Sequence, residues 1–529
     1  MSLAQLGEQP GKLISVVSDC DYVADPLAAY YTLCGEQHHN LLLESAEIDS
    51  KNSVNSLILV DAALKITCRG QQVVCEALSD NGTGINAVLQ SHLSDSLVSD
   101  KNNSTKATFK FAIPDPHLDE DNRLKARSVF DVLRTIQQQF KVYGEHPQAL
   151  FLGGTFAYDL LATFEQLPQV AEGVNHCPDY VFYVAETLLL IDHQDETTTL
   201  LASVFSGENV PTEFFRISQR VEEIRQSLQN LRTLPTIATK VRDDEIKVDK
   251  SDAQFCQDVI DLKEHILAGD IFQVVPSRTF SVPCPNSFQA YATLKKTNPS
   301  PYMFYIRDSS FTIFGASPES ALKYEKQNNQ VEVYPIAGTR PRGKNADGGI
   351  APDLDSRIEL SLREDEKEKS EHLMLVDLAR NDIARVAIPG SRYVRDLLKV
   401  DRYSHVMHLV SRVVGQLRED LDCLHAYQAC MNMGTLVGAP KVSAASLIRH
   451  TEQKRRGSYG GAVGYINGKG DMDTCIVIRS AFVCDDIAHI QAGAGVVHDS
   501  IPQSEADETR NKAQAVISAI VQAHQETSL

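Results

Sequence analysis

Short apolar runs alternate with polar turns over residues 11–90, as in Leu41-Leu42-Leu43 and Leu57-Ile58-Leu59-Val60. This alternation predicts strands with small connections. Residues 94–125, rich in Ser, Asn, Asp and Lys, predict a long surface loop. Helical spacing returns at 126–142 through Val129, Val132, Leu133, Ile136 and Phe140, and at 213–231 through Phe214, Ile217, Val221, Ile224 and Leu228. Between them, Tyr180–Ile191 and Thr197–Val204 read as a hairpin turning at His193–Glu196. The polar segment 232–251 marks the boundary between an N-terminal region, 1–245, and a C-terminal region, 246–529. Beyond it the pattern predicts a helix over 252–268 capped by Gly269, and strands at 270–282, 302–307, 311–315 and 331–336. One long helix is expected over 355–380, started by Asp353 or Asp355. A strand at 404–415, a helix at 421–432 and a helix from Pro440 to about Glu452 follow. Asn467-Gly468 predicts a hairpin, and Ser504 with Asp507 matches a capping box opening the last helix. Antiparallel hairpins mixed with helices define an α+β class rather than a regular βαβ fold.

Composition narrows what such a fold can do. The 529 residues carry 51 Lys+Arg against 70 Asp+Glu, a formal net charge of -19. That balance argues against nucleic acid and anionic membranes as partners, since both recruit clustered basic residues. No apolar run reaches the length of a membrane span, and the N-terminus lacks the pattern of a secretory signal. The 11 cysteines are scattered with no CxxC pair, as expected of reduced thiols in a cytoplasmic protein. Tryptophan is absent, which excludes no fold because Phe and Tyr can fill aromatic core positions.

Four features could carry chemistry. Glu368 and Glu371 lie three apart, and Glu505 and Glu508 repeat the spacing. Carboxylates meeting from two helices would suit Mg2+, although a charge run is more commonly a solvated helix face. In Pro335–Gly343, small residues would let a ligand approach the backbone, and Arg340 and Arg342 could pair with carboxylates; a turn with surface arginines is the commoner form. Gly493-Ala494-Gly495 could offer backbone N–H groups to an anion, a weak signal on its own. His408, inside an apolar strand, could accept a proton near neutral pH or be a satisfied core residue.

Together these pieces resemble the chorismate-utilising enzymes, and most closely the component I family of anthranilate synthases. The match is carried by Asp270–Ser277, Ala316–Ser320, the PIAGTRPRG run, Met374–Asp382, Ser404–Ser411, Gly438–Lys441, Ile478–Ser480, Gly493–Gly495 and Glu505–Glu508. It covers nearly the whole C-terminal region in order. The N-terminal region matches more loosely, through Leu42–Ala46 and, just past the boundary, Asn298–Phe304. The resemblance implies a two-lobed sandwich of packed antiparallel sheets with outer helices. It implies conversion of chorismate and ammonia to anthranilate and pyruvate, the first step of tryptophan biosynthesis. Glu319 would be the acid that protonates the leaving C4 hydroxyl. Mg2+ would be held by Glu371 and Glu508, with Glu368 and Glu505 directly or through water. Arg479, Tyr459, Lys512 and the backbone of Gly493, Ala494 and Gly495 would bind substrate, with Gly338, Thr339 and Thr435 orienting the ring. His408 would assist loss of the C2 proton and of pyruvate.

Two positions separate this chain from its relatives. Aminodeoxychorismate synthases carry a nucleophilic lysine where this chain has Ala337. Isochorismate and salicylate synthases carry a water-activating lysine where it has Gln273, an amide that cannot act as a base near pH 7. The resemblance further implies a separate glutaminase subunit (component II) as ammonia source, in a heterotetramer of two synthase and two glutaminase subunits. It also implies L-tryptophan as feedback inhibitor, bound by Glu44, Ser45, Pro301, Tyr302, Met303, Val463 and Tyr465. The rival readings are component I of an aminodeoxychorismate synthase and a non-catalytic tryptophan sensor on the same fold.

Overall fold

The computed structural model describes every residue except 1–2, 46–54, 99–101, 116, 145, 235–240, 242–244, 346–348, 404–405 and 525–529. Ala46, Ser404 and His405 of the matched motifs lie outside the described residues.

Two bent strands organise the chain. Asn55–Arg69 and Tyr180–Asp192 pair antiparallel from Asn55↔Asp192 to Cys68↔Tyr180, with register shifts between Leu59 and Leu64. Such irregularities bend a strand and let its two halves serve different sheets. From one half the first sheet runs outward through Asn40–Glu44, Tyr302–Arg307, Thr312–Ser317, Ser480–Cys484, Ile487–Gly493 and Ser277–Pro283. From the other half the second sheet runs through Phe151–Phe156, Ala462–Asn467, Met472–Ile476, Ser320–Glu325, Gln330–Val333 and Val406–Gln416. Both sheets therefore contain strands from either side of residue 245.

The core follows the pleat. Phe304 and Ile306 pack between the sheets with Leu41, Val181, Val463 and Phe482. Their neighbours Met303 and Tyr305 point the other way, onto helices Ser287–Thr297 and Pro502–Ala523. A further core lies between the second sheet and helices that include Glu366–Ala384 and Lys441–Glu452. This is the expected α+β sandwich with outer helices.

Several elements differ from expectation. Residues 11–90 include helices Pro26–Leu33 and Asp80–His92 besides strands. The polar stretch 94–125 is not one loop: it holds strand Lys106–Lys110 and helix Glu120–Lys125. The helix expected over 355–380 is two, Pro352–Glu364 and Glu366–Ala384. They break at Asp365, whose carboxylate accepts the Lys367 and Glu368 N–H groups and so caps the second helix. Asp353 and Asp355 lie in the first turn and do not cap it. The last helix starts at Pro502, so Ser504 sits inside it and there is no capping box. The hairpins at His193–Glu196 and Asn467-Gly468 and the Gly269 cap, at φ 85°, form as expected.

Candidate active site

The carboxyl ends of several strands meet the first turns of two helices. Glu319 sits in the short link between strands Thr312–Ser317 and Ser320–Glu325, pinned by Ile476 N–H donating to its carbonyl at 3.0 Å. Its side chain is buried, and Thr435 Oγ1 donates to Oε1 at 3.2 Å. Burial raises this carboxyl to about 8, against the Thr435 hydrogen bond, the Lys512 charge and the Ile336 backbone, all of which pull it down. At neutral pH Glu319 thus holds a proton it can donate.

The strand Ile336–Pro341 runs beside Val406–Gln416 with a register shift at Gly338. Gly338 has φ 75°, and a Cβ there would lie 3.0 Å from Glu368 Oε2, so the bulge suits glycine. The shift puts Thr339 opposite His408, with Thr339 Oγ1 3.0 Å from His408 Nδ1. Burial lowers the His408 imidazole to about 4, and the Arg479 charge lowers it further, against a hydrogen bond to the Gly338 backbone. It is therefore neutral near pH 7, and a weaker base than a free imidazole. Tyr403 packs edge-on at 5.2 Å.

On the opposite wall, Gly493 ends strand Ile487–Gly493. A Cβ at Gly493 would lie 2.7 Å from the Pro276 carbonyl and 3.1 Å from Tyr459 Oη, and at Gly495 2.9 Å from Gln273 Nε2. Ala494 N–H is used by Pro276 O at 3.2 Å. Lys512 Nζ donates to Gly493 O at 3.0 Å and pairs with Glu508 at 2.6 Å. Arg479, held at φ 49°, makes no ion pair or side-chain hydrogen bond among the described residues. Burial lowers its guanidinium from the usual value, and only the Glu508 charge opposes this. A partly desolvated cation without a partner is a seat for an anionic ligand.

Glu368 and Glu371 stand on helix Glu366–Ala384, and Glu505 and Glu508 on helix Pro502–Ala523. Burial raises Glu371, and the charges of Glu368, Glu508 and Glu505 raise it further, against Lys367. Glu505 is raised by burial and by Glu508, against Ser500, Lys367 and Lys512. Carboxylates are the hard oxygen donors that Mg2+ takes. Among the described residues, no three or more His, Cys, Asp or Glu stand close enough to hold a metal ion as they are. Glu368 is turned to Arg340 Nη1 at 2.9 Å, and Arg342 is spent on Asp355.

Gln273 is the residue the motifs undervalue. The sequence marks it as a discriminating position. The structure adds that its side-chain carbonyl Oε1 is buried with no hydrogen-bond partner, beside Gly495. Tyr403 and Lys367 are likewise site neighbours that no motif marks.

The residues that the resemblance assigns to an inhibitor do not share one face: Tyr302, Val463 and Tyr465 belong to the layer between the sheets, whereas Met303 and Glu44 face helix Ser287–Thr297. Glu44 lies opposite Met303, and its buried carboxylate accepts from Tyr291 Oη and Lys295 Nζ. Ser45 N–H donates to Asn55 O at 3.0 Å. Pro301 precedes Tyr302, which reaches Asp473 at 3.3 Å; Asp473 pairs with Tyr465, and Val463 follows on the same face. Phe151 stacks on Tyr465 at 5.3 Å. Tyr302 also pairs with Ser317, two residues from Glu319, so one strand joins the two regions.

Fold and site define a class. Residues 95–518 match the family model of the chorismate binding enzymes, and the chain belongs to that family. It is 60% identical to anthranilate synthase component 1 of Vibrio cholerae, over 96% of each chain. It is 56% identical to that of Escherichia coli, over 95% of this chain and 96% of the other. Within the family the chain falls in the anthranilate synthase component 1 branch. The crystal structure of anthranilate synthase component I from Streptococcus pneumoniae superposes with TM-score 0.67 at 28% identity, covering 93% of this chain and 97% of that one. The menaquinone-specific isochorismate synthase of Escherichia coli shares the fold, with TM-score 0.66 at 16% identity over 98% and 97%.

Proposed function

We propose that the chain converts chorismate and ammonia to anthranilate and pyruvate as a synthase subunit in tryptophan biosynthesis. The observation that carries this reading is a buried carboxyl held protonated to about pH 8, Glu319, together with a partly desolvated Arg479 guanidinium that has no partner among the described residues. Chorismate is a dicarboxylate whose C4 hydroxyl is a poor leaving group. Arg479 and Tyr459, with the glycine turn at Gly493 and Gly495, hold one carboxylate. Glu319 protonates the departing hydroxyl while ammonia forms a bond to C2 and the ring double bonds shift. Neutral His408 then takes the C2 proton, the ring C3–O bond breaks as the ring becomes aromatic, and the enolpyruvate released takes up a proton at its methylene carbon to become pyruvate. Glu371, Glu505 and Glu508, with Glu368 once released from Arg340, would hold Mg2+, which when bound supplies charge neutralisation at the ring carboxylate. With Ala337 supplying no amine and Gln273 no base, nucleophilic attack is left to free ammonia.

His408→Ala is expected to stall the reaction at the aminated intermediate, seen by chromatography of quenched mixtures. Anthranilate formation at the parent rate would remove His408 from the mechanism.

The ammonia source is a separate glutaminase, in a heterotetramer with two copies of each subunit. Burial pushes the Cys34, Cys68, Cys284 and Cys430 thiols up, the reverse of an activated nucleophile. All eleven cysteines are free, which agrees with a cytoplasmic location, and among the described residues no helix is long and apolar enough to cross a membrane. Purified alone, the chain should make anthranilate from chorismate, Mg2+ and ammonium at alkaline pH, and none from glutamine. Glutamine-driven turnover by the isolated chain would contradict the separate subunit.

Tryptophan as feedback inhibitor would be held by Glu44, Ser45, Pro301, Tyr302, Met303, Val463 and Tyr465. Its effect reaches Glu319 through the strand pairing of Tyr302 with Ser317, a coupling between distinct sites. Because the chain contains no tryptophan, the fluorescence of added tryptophan reports binding directly. Ser45→Arg should abolish both that signal and inhibition while leaving basal turnover. Retained inhibition would misplace the pocket.

A further inference from the structure

Beside these residues lies an ion pair that the mechanism above does not use. Arg456 and Glu452 have side chains 1% and 0% exposed and pair at 2.6 Å. Arg456 Nε donates to Glu452 Oε2 at 3.0 Å, closing a two-pronged contact. The remaining donors leave the pair. Nη1 donates to Leu436 O at 2.8 Å and Nη2 to Val275 O at 2.6 Å. Leu436 follows Thr435, the hydroxyl that donates to Glu319. Val275 lies against the glycine turn, its Cγ1 3.2 Å from where a Gly493 Cβ would be. The guanidinium also lies over the Tyr459 ring at 5.6 Å and the Tyr158 ring at 4.6 Å. Glu452 Oε1 accepts Ser277 N–H at 2.8 Å and Ser277 Oγ at 2.7 Å, and Ser277 pairs with Gly493. One buried pair thus touches the backbone beneath the acid's partner, the glycine turn and the tyrosine of the opposite wall.

Burying two charges carries a desolvation penalty that an apolar pair would not, but an apolar pair could not hold the Leu436 and Val275 carbonyls and the Ser277 N–H where this one does. We propose that Glu452 and Arg456 are positioning residues of the active site, fixing Thr435 against Glu319 on one wall and Tyr459 with the Gly493 turn on the other. The inference rests on the functional reading above and deepens it. Neither residue touches substrate. Arg456 acts through the Leu436 and Val275 carbonyls and Glu452 through the Ser277 N–H and hydroxyl, groups gathered from segments distant in sequence. Lysine offers neither the fork nor the planar face.

The test is a set of variants in the ammonium-dependent assay, with pH profiles and thermal melts. Arg456→Lys should lower kcat by about 10²-fold, the scale of a small misplacement of reacting groups. Freed from Thr435, Glu319 loses a hydrogen bond that favours its ionised form. The basic limb of kcat should therefore move up by about one pH unit. Lys512 and Tyr403, the other titratable groups acting on Glu319, are unaltered. The double variant Glu452→Met with Arg456→Met covers the case in which Arg456→Lys does not fold. It should melt below the parent, because the Leu436 and Val275 carbonyls and the Ser277 N–H lose these partners, and, assayed below its melting temperature, should still show the displaced limb. Asp308→Asn, which breaks the remote buried pair with Lys65, should lower the melting temperature without moving the limb. A folded Arg456→Lys or double variant with the parent limb and kcat would overturn the positioning role. A limb displaced equally by Asp308→Asn would also overturn it, as it would reflect stability alone. A parent chain that makes no anthranilate would overturn the functional reading instead.

Discussion

Glu319→Gln is expected to lower kcat for anthranilate formation by about 10²–10⁴-fold, the usual worth of a positioned general acid. Glutamine keeps the shape and can still accept from Thr435, but it has no proton to give. The pH profile of the parent should show the same group. Activity should fall above about pH 8 as Glu319 ionises, while the ammonia fraction rises in the same range, so the ammonium-dependent rate should peak on the alkaline side of neutrality. Stability should move the other way. Between the ordinary carboxyl range and about 8 the folded chain holds a proton that the unfolded chain releases. The folded state binds more protons, so stability falls as pH rises through that window. Glu319→Gln removes this cost and should melt higher than the parent at pH 7–8. A lower melting point with unchanged kcat would show Glu319 to be an ordinary core residue. Activity assays and melts on the same preparations separate the outcomes.

Arg479→Met should raise the KM for chorismate by about 10–10²-fold, the value of charge-assisted hydrogen bonds to a carboxylate. Thermal stability should hold or rise, because the side chain removed is a partly desolvated cation with no protein partner among the described residues. Arg479→Lys keeps the charge but not the planar fork, and should fall between the two. Loss of stability with unchanged KM would mean that Arg479 serves the fold and not the ligand. Steady-state kinetics at saturating ammonium and Mg2+ decide between these.

Both residues were legible in the sequence because they sit in compact motifs whose residue types the chemistry requires. The physical state that makes them useful was not. No spacing rule tells that Glu319 is buried enough to stay protonated or that Arg479 lacks a partner. Those properties come from strands far apart in the chain. The same holds for Glu452 and Arg456, whose reach to Val275 and Leu436 exists only after the sheets are stacked. Local misreadings also have local causes. The break at Asp365 lies inside an unbroken run of charge, where one capping aspartate looks like any other acidic residue. Helix Asp80–His92 carries Gly82, which reads as a turn. In the fold Gly82 packs so tightly that a Cβ would lie 2.0 Å from the Ala63 carbonyl, and the glycine is there for close approach. Helix Pro26–Leu33 is buried around most of its circumference, so it shows no amphipathic stripe. By contrast, Tyr180–Asp192 and Thr197–Phe205 were visible as a hairpin because polar turn residues bracket two apolar runs.

The central claim is best tested by mixing the purified chain with chorismate, Mg2+ and ammonium at alkaline pH and following anthranilate fluorescence, with and without tryptophan. The account predicts anthranilate and pyruvate in equal amounts, dependence on Mg2+, and suppression by tryptophan. Accumulation of 4-amino-4-deoxychorismate or isochorismate, or tryptophan binding with no turnover at all, would contradict it.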